Sequence, residues 1–153
     1  MQTFRVLPIP FDLTNQARST LKSPQYGHPA HAEVATGYGP CRSCLRTFDQ
    51  GKEERLLFTY NPFEGRASLP APGPIFIHRE TCVAYDQPGF PPQLRRVPMV
   101  LEGYRDSWCV RREGVSEQKI ELVIDNLFAD PAIDFIHVRN AEAGCFIARI
   151  ERA

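Results

Sequence analysis

The 153-residue chain contains no apolar run near the roughly 20 residues that cross a bilayer as a helix. It has no surplus of either charge. Its 18 lysines and arginines are matched by 18 aspartates and glutamates, so the broad positive field of a nucleic-acid-binding domain is missing. The patterns G-x-x-x-x-G-K-[ST], G-x-G-x-x-G, H-E-x-x-H and G-x-S-x-G are all absent. That excludes the usual signatures of P-loop, dinucleotide, zincin and α/β-hydrolase chemistry. The N-terminal stretch MQTFRVLPIPFDL has one positive charge, Arg5, and is interrupted by Pro8 and Pro10. A secretory leader needs an unbroken apolar core of about 7–15 residues. These absences lead to the expectation of a cytoplasmic protein with neither membrane nor nucleic-acid partners. Internal repeats and low-complexity tracts are absent as well.

The composition that remains is 42% hydrophobic and 24% charged, with 10 Phe, 5 Tyr and 1 Trp. A chain of this length buries roughly two-thirds of its unfolded surface, and the whole of 1–153 is expected to form one domain. Fourteen prolines punctuate the chain and leave little room for long helices before residue 99. Residues 1–40 read as a loop-rich part of the domain, with a long loop over 23–40. Asp12–Leu21 reads as a short helix with Asp12 as its cap. The segments RLLFTYNPF (55–63), PIFIH (74–78), 99–104 and 108–111 read as strands. In Ser116–Phe128, Ile120, Val123, Ile124, Leu127 and Phe128 recur at helical spacing behind a Ser116 cap. Residues 134–139 and 145–150 alternate as a hairpin, with Ile136 and Val138 on one face and Phe135, His137 and Arg139 on the other. On the return strand Phe146, Ala148 and Ile150 share a face. The expected fold class is α+β: an antiparallel or mixed sheet, one main packed helix and long Pro-rich loops.

The five cysteines are Cys41, Cys44, Cys82, Cys109 and Cys145. An odd number in a reducing compartment does not make a disulfide framework. Cys41-Arg-Ser-Cys44 is a C-x-x-C, and two geometries compete for it. As a helix, it puts both thiols on one face. As a strand, it puts them on opposite faces and turns at Asp49–Lys52 into the strand from Arg55. The strand reading is preferred, because strong strand formers follow the turn directly. A second half-site, His78-x3-Cys82, would complete a set of four soft ligands, Cys41, Cys44, His78 and Cys82, for zinc. The two halves are further apart than the ~12–20 residues of small zinc modules, so zinc stands as the alternative and no cofactor as the main expectation. Cys82, Cys109 and Cys145 also read as small core residues, the latter two most readily.

The preferred functional reading is a cleft for a small anion, a carboxylate or phosphate. Arg42, Arg139 and Asn140 would bind it, and His78 and His137 would carry protons, catalytically if the protein is an enzyme. This reading needs distant strands to bring those groups together. The competing view is a solvated sheet face whose arginines pair with acids. His28 and His31, in G-H-P-A-H-A, read as exposed loop histidines. A third reading is an interaction module with an exposed apolar patch near Phe90-Pro91-Pro92.

Four blocks together resemble a known family: CRSCLR (41–46), FTYNPF (58–63), GPIFIH with its later cysteine (73–82), and IHVRNAEAGCFIARIERA (136–153). They are similar, in content and order, to the bacterial family called domain of unknown function 1203. The resemblance implies a small bacterial protein of one domain and implies no particular activity.

Overall fold

The computed structural model describes residues 4–63, 73–115 and 119–153. In chain order the elements are β1 (Phe4–Leu7), α1 (Phe11–Thr20), β2 (His31–Val34), β3 (Glu54–Tyr60), β4 (Gly73–His78), a 3-10 helix (Pro92–Arg96), β5 (Met99–Arg105), β6 (Trp108–Val115), α2 (Ile120–Phe128), β7 (Phe135–Asn140) and β8 (Phe146–Arg152). The strands form a five-stranded sheet, β1-β8-β7-β5-β6, and a three-stranded sheet, β2-β3-β4. Each pairing is antiparallel. The fold is α+β. Among the described residues no helix is long and apolar enough to cross a membrane.

On one face of the larger sheet, apolar residues from alternate positions meet across the strands. Leu101 pairs with Val138, Val138 with Ala148, and Ile136 with Ile150. Ile120, Ile124 and Leu127 of α2, spaced as one helical face, cover them and are fully buried with Ile133. The spacing of 120–128 therefore forms the expected helix, while the Ser116 cap lies outside the described residues. The smaller sheet packs Leu56 and Phe58 of β3 beside Ile77 and Ile75 of β4. Ile9, Ala17 from α1 and Phe146 from β8 close this second core.

Several expectations are corrected. Residues 41–46 form no strand, and β3 pairs instead with β2 and β4. β2 itself lies inside the stretch expected to be loop. α1 begins at Phe11 behind Pro10, which puts Asp12 in its first turn rather than at the cap. The N-terminal apolar residues form β1, an edge strand that buries Phe4 and Val6 against β8. The hairpin register shifts between Val138 and Arg139, so Phe146 pairs with Arg139. That one-residue shift turns Phe146 away from Ala148 and onto the His137 ring, at a centroid distance of 4.9 Å. Ile147 correspondingly joins the first core. Phe90 is also core, 5% exposed, so it presents no patch. Cys109 is exposed on edge strand β6 and Cys145, just ahead of β8, is partly exposed.

Gly103 on β5 permits the close approach of Ile133. A Cβ there would come within 2.6 Å of Ile133 Cδ1. Gly103→Ala is expected to cost ~1–3 kcal/mol by overpacking, read from the urea midpoint, and Ile133→Val in the same chain should recover part of the loss. An Ala variant as stable as the parent would show that this contact is not tight.

Candidate metal centre

Cys41 to Leu45 form a tight turn. The Leu45 amide donates to the Cys41 carbonyl at 2.9 Å, and the Cys41 amide to the Arg46 carbonyl at 2.9 Å. Leu45 takes φ 59°, a left-handed conformation costing about 1–2 kcal/mol outside glycine. Its fully buried side chain in the first core offsets that cost. The turn is neither of the two geometries weighed for C-x-x-C. By reversing the chain within four residues, it brings both thiols to one side.

Opposite the turn, β4 ends at His78 and the chain continues through an irregular segment carrying Cys82. The ligand atoms of Cys41, Cys44, His78 and Cys82 all lie within 4.8 Å of one another. Cys41 Sγ is 3.9 Å from Cys82 Sγ, and Cys44 Sγ is 3.4 Å from His78 Nδ1. A zinc tetrahedron with Zn–S near 2.3 Å and Zn–N near 2.0–2.1 Å has edges of about 3.5–3.8 Å. Cys41, Cys44 and His78 are buried, whereas Cys82 is partly exposed.

A supporting shell surrounds the four. The His78 amide donates to Cys41 Sγ at 3.4 Å. Arg18 of α1 donates through Nη2 to Cys82 Sγ at 3.3 Å and through Nε to the His78 carbonyl at 3.1 Å. Glu53 Oε2 lies 2.9 Å from His78 Nε2, an ion-pair contact. A carboxylate there favours the ring proton on Nε2, so that with a metal bound Nδ1 would be the ligating nitrogen. The Phe48 ring packs against the imidazole at 4.6 Å.

Without a cation, protons must balance the charge. Burial, reinforced by the neighbouring Cys44 and Cys82, pushes the Cys41 thiol well up. Hydrogen bonds from Cys41 and Cys44 hold Cys82 far below the ordinary thiol range. Burial opposes charging of His78, but Cys44, Cys82 and Glu53 outweigh it and raise the imidazole to about 10. The metal-free arrangement is thus a thiolate–imidazolium pair beside neutral sulfur. A bound dication would displace these protons.

The cluster lies between two clefts. One, of about 670 Å³, is lined by Arg46, Lys52, Glu53, His78, Glu80 and Cys82. The other, of about 320 Å³, includes Cys44, Val83, Tyr85 and Gln93.

The remaining residues singled out in the sequence are placed elsewhere. Arg42 points away from the thiols. It is buried and donates to the carbonyls of Phe146 (2.8 Å) and Pro40 (2.7 Å), with burial lowering its pKa to about 10. Arg139 Nε contacts Glu102 Oε1 at 2.5 Å, and Nη1 donates to the Gly144 carbonyl. Glu102 also takes the Tyr104 hydroxyl at 3.0 Å and lies 3.3 Å from Arg112 Nε. His137 is 1% exposed among the rings of Phe63, Tyr104, Phe135 and Phe146, at 4.8–5.1 Å. Asn140 Oδ1 accepts the Glu142 and Ala143 amides and shapes the β7–β8 turn. His28 Nε2 accepts the Thr59 amide, and His31 opens β2. Of the clefts described, His78 lines the first, and Arg139 lines a third of about 100 Å³. Arg42, His137 and Asn140 line none of them. Sequence reasoning did not find Arg18 or Glu53, since nothing local in their neighbourhoods points to a cluster assembled from distant segments.

A family model described as "Protein of unknown function (DUF1203)" matches residues 38–152. The chain belongs to this family. The matched span holds all four soft ligands and Glu53, while Arg18 lies ahead of it. Neither the curated proteins nor the solved structures contain a match to the chain.

Arg139→Ala would leave Glu102, 7% exposed, deprived of its nearest cation. A loss of about 3–5 kcal/mol is expected in chemical denaturation. The double variant Arg139→Met, Glu102→Leu should regain most of it. Equal stability of Arg139→Ala and the parent would show that the pair is not effectively buried.

Proposed function

We propose that this protein is a zinc-binding domain in which Cys41, Cys44, His78 and Cys82 hold one Zn²⁺. The observation that carries this reading is the convergence, within 4.8 Å, of four soft donor atoms from two distant segments. Thiolate and imidazole donors favour zinc over the hard cations, which take oxygen. All four positions of a tetrahedron are filled by protein, the pattern of a structural rather than a catalytic centre. The ion supplies a cross-link. It fastens the Cys41–Leu45 turn and the segment after β4 to the end of the three-stranded sheet.

The surrounding charges suit that role. Three thiolates, one imidazole and Zn²⁺ carry a net single negative charge, and the guanidinium of Arg18 sits against it. Arg46 is held charged by hydrogen bonding and attraction to Cys44. Glu53 orients the histidine. In this reading His78 is a ligand rather than a proton carrier. The small-anion reading has less support: Arg42 and Arg139 donate to carbonyl and carboxylate groups of the chain itself.

Elemental analysis of the purified protein should give one zinc per chain. Chelation should lower Tm, and Cys44→Ser should lose the metal. Glu53→Gln should keep the stoichiometry while weakening affinity about 10–100-fold, measured by competition with a chromophoric chelator. A metal-free preparation that takes up no zinc, or that melts where the zinc-treated protein melts, refutes the reading.

A further inference from the structure

We propose that Cys82 is the oxidation site of this centre, and that hydrogen peroxide joins Cys82 to Cys41 and expels the metal. The inference rests on the zinc reading and adds to it a regulated release.

The four ligands are unequally protected. Cys41 is 0% exposed, Cys44 4% and His78 6%. Cys82 is partly exposed and lines the larger cleft, and its neighbour Val83 is 87% exposed. A small oxidant arriving through that cleft meets the Cys82 sulfur first. All three sulfurs are thiolates when they hold the metal, so access selects the cysteine that oxidises. Arg18 Nη2, 3.3 Å from this sulfur, places a donor where negative charge develops on the departing oxygen.

The partner is set by distance and by rigidity. Cys41 Sγ lies 3.9 Å away, and a disulfide needs about 2.05 Å. Cys41 is held in the buried turn by bonds to Leu45 and Arg46. Cys82 belongs to a segment without helix or strand, so the closing movement falls on Cys82. Cys44 Sγ also lies within 4.8 Å of Cys82 Sγ, but it has His78 Nδ1 against it at 3.4 Å.

The chemistry is a two-electron oxidation by peroxide. The Cys82 thiolate attacks one peroxide oxygen; an S–O bond forms, the O–O bond breaks, and the leaving hydroxide takes a proton to become water. The Cys41 thiolate then attacks the Cys82 sulfur; the S–S bond forms, the S–O bond breaks, and a second hydroxide leaves and is protonated. Two thiolates, one peroxide and two protons become a disulfide and two waters. Cys44 and His78 alone are too few donors to retain the ion.

The test uses the full chain carrying Cys109→Ser and Cys145→Ser, loaded with zinc and verified for stoichiometry before oxidant is added. A chain that takes up no zinc at that stage fails the zinc reading itself. With zinc bound, peroxide should release the ion to a chromophoric indicator while the protein loses about 2 Da, and peptide mapping should find Cys41 joined to Cys82. A thiol reductant with added zinc should restore the starting mass and metal content. Cys82→His, which preserves four nitrogen or sulfur donors, should release zinc at least about tenfold more slowly. If that variant takes up no zinc, the mapped pair in the parent decides alone. Zinc retained under peroxide, a Cys41–Cys44 link, or equal release from Cys82→His overturns the proposal.

Discussion

Three sulfur atoms and one imidazole nitrogen, held within 4.8 Å of one another and mostly away from water, pose an electrostatic problem. The thiols cannot all ionise together in a site of low dielectric unless positive charge enters it. Protons solve the problem partially, by an imidazolium beside one thiolate and a neutral Cys41. A dication would cancel most of the charge of three thiolates, with the guanidinium of Arg18 against Cys82 to meet the remainder and the carboxylate of Glu53 against His78. The segment after β4 is tied to the Cys41–Leu45 turn by the Tyr85 amide on the Ser43 carbonyl.

The C-x-x-C turn serves two structural ends at once. Its cysteines face the cluster, while Arg42 between them faces the opposite way. Arg42 donates through its side chain to Phe146 of β8 and through its amide to Phe76 of β4. Its carbonyl accepts the Ile9 amide. One buried residue thus links both sheets and the approach to α1. A metal bound at the thiols would stiffen the turn that presents Arg42, coupling the cluster to the packing of the two sheets.

The aromatic and ionic groups on the second face of the five-stranded sheet form a separate interior. Glu102, Tyr104, Phe135, His137 and Arg139 project there from β5 and β7, and Phe146 joins them only because the β7–β8 register shifts. Buried polar groups in such a layer are tolerated because they are paired. Of the arginines read as ligand-binding in the sequence, Arg139 contacts Glu102 in this layer and Arg42 donates to the Phe146 and Pro40 carbonyls.

What the sequence by itself determined are the features whose physics is local. Strand-forming residues between turn signals marked β3, β4 and β5, and alternation of apolar residues marked β7 and β8. Helical spacing marked 120–128, the paired cysteines marked a soft-ligand half-site, and His78-x3-Cys82 marked its complement. Tertiary structure decided what depends on neighbours. β3 pairs with a strand hidden in the Pro/Gly-rich stretch, so residues 41–46 are released to form a turn. The register shift sends Phe146 to the other face. α1 brings Arg18 to Cys82 across 64 positions of chain. Side-chain periodicity records which way a residue points from its own element, but not which element lies opposite, and the convergence of four ligands is wholly a matter of the latter.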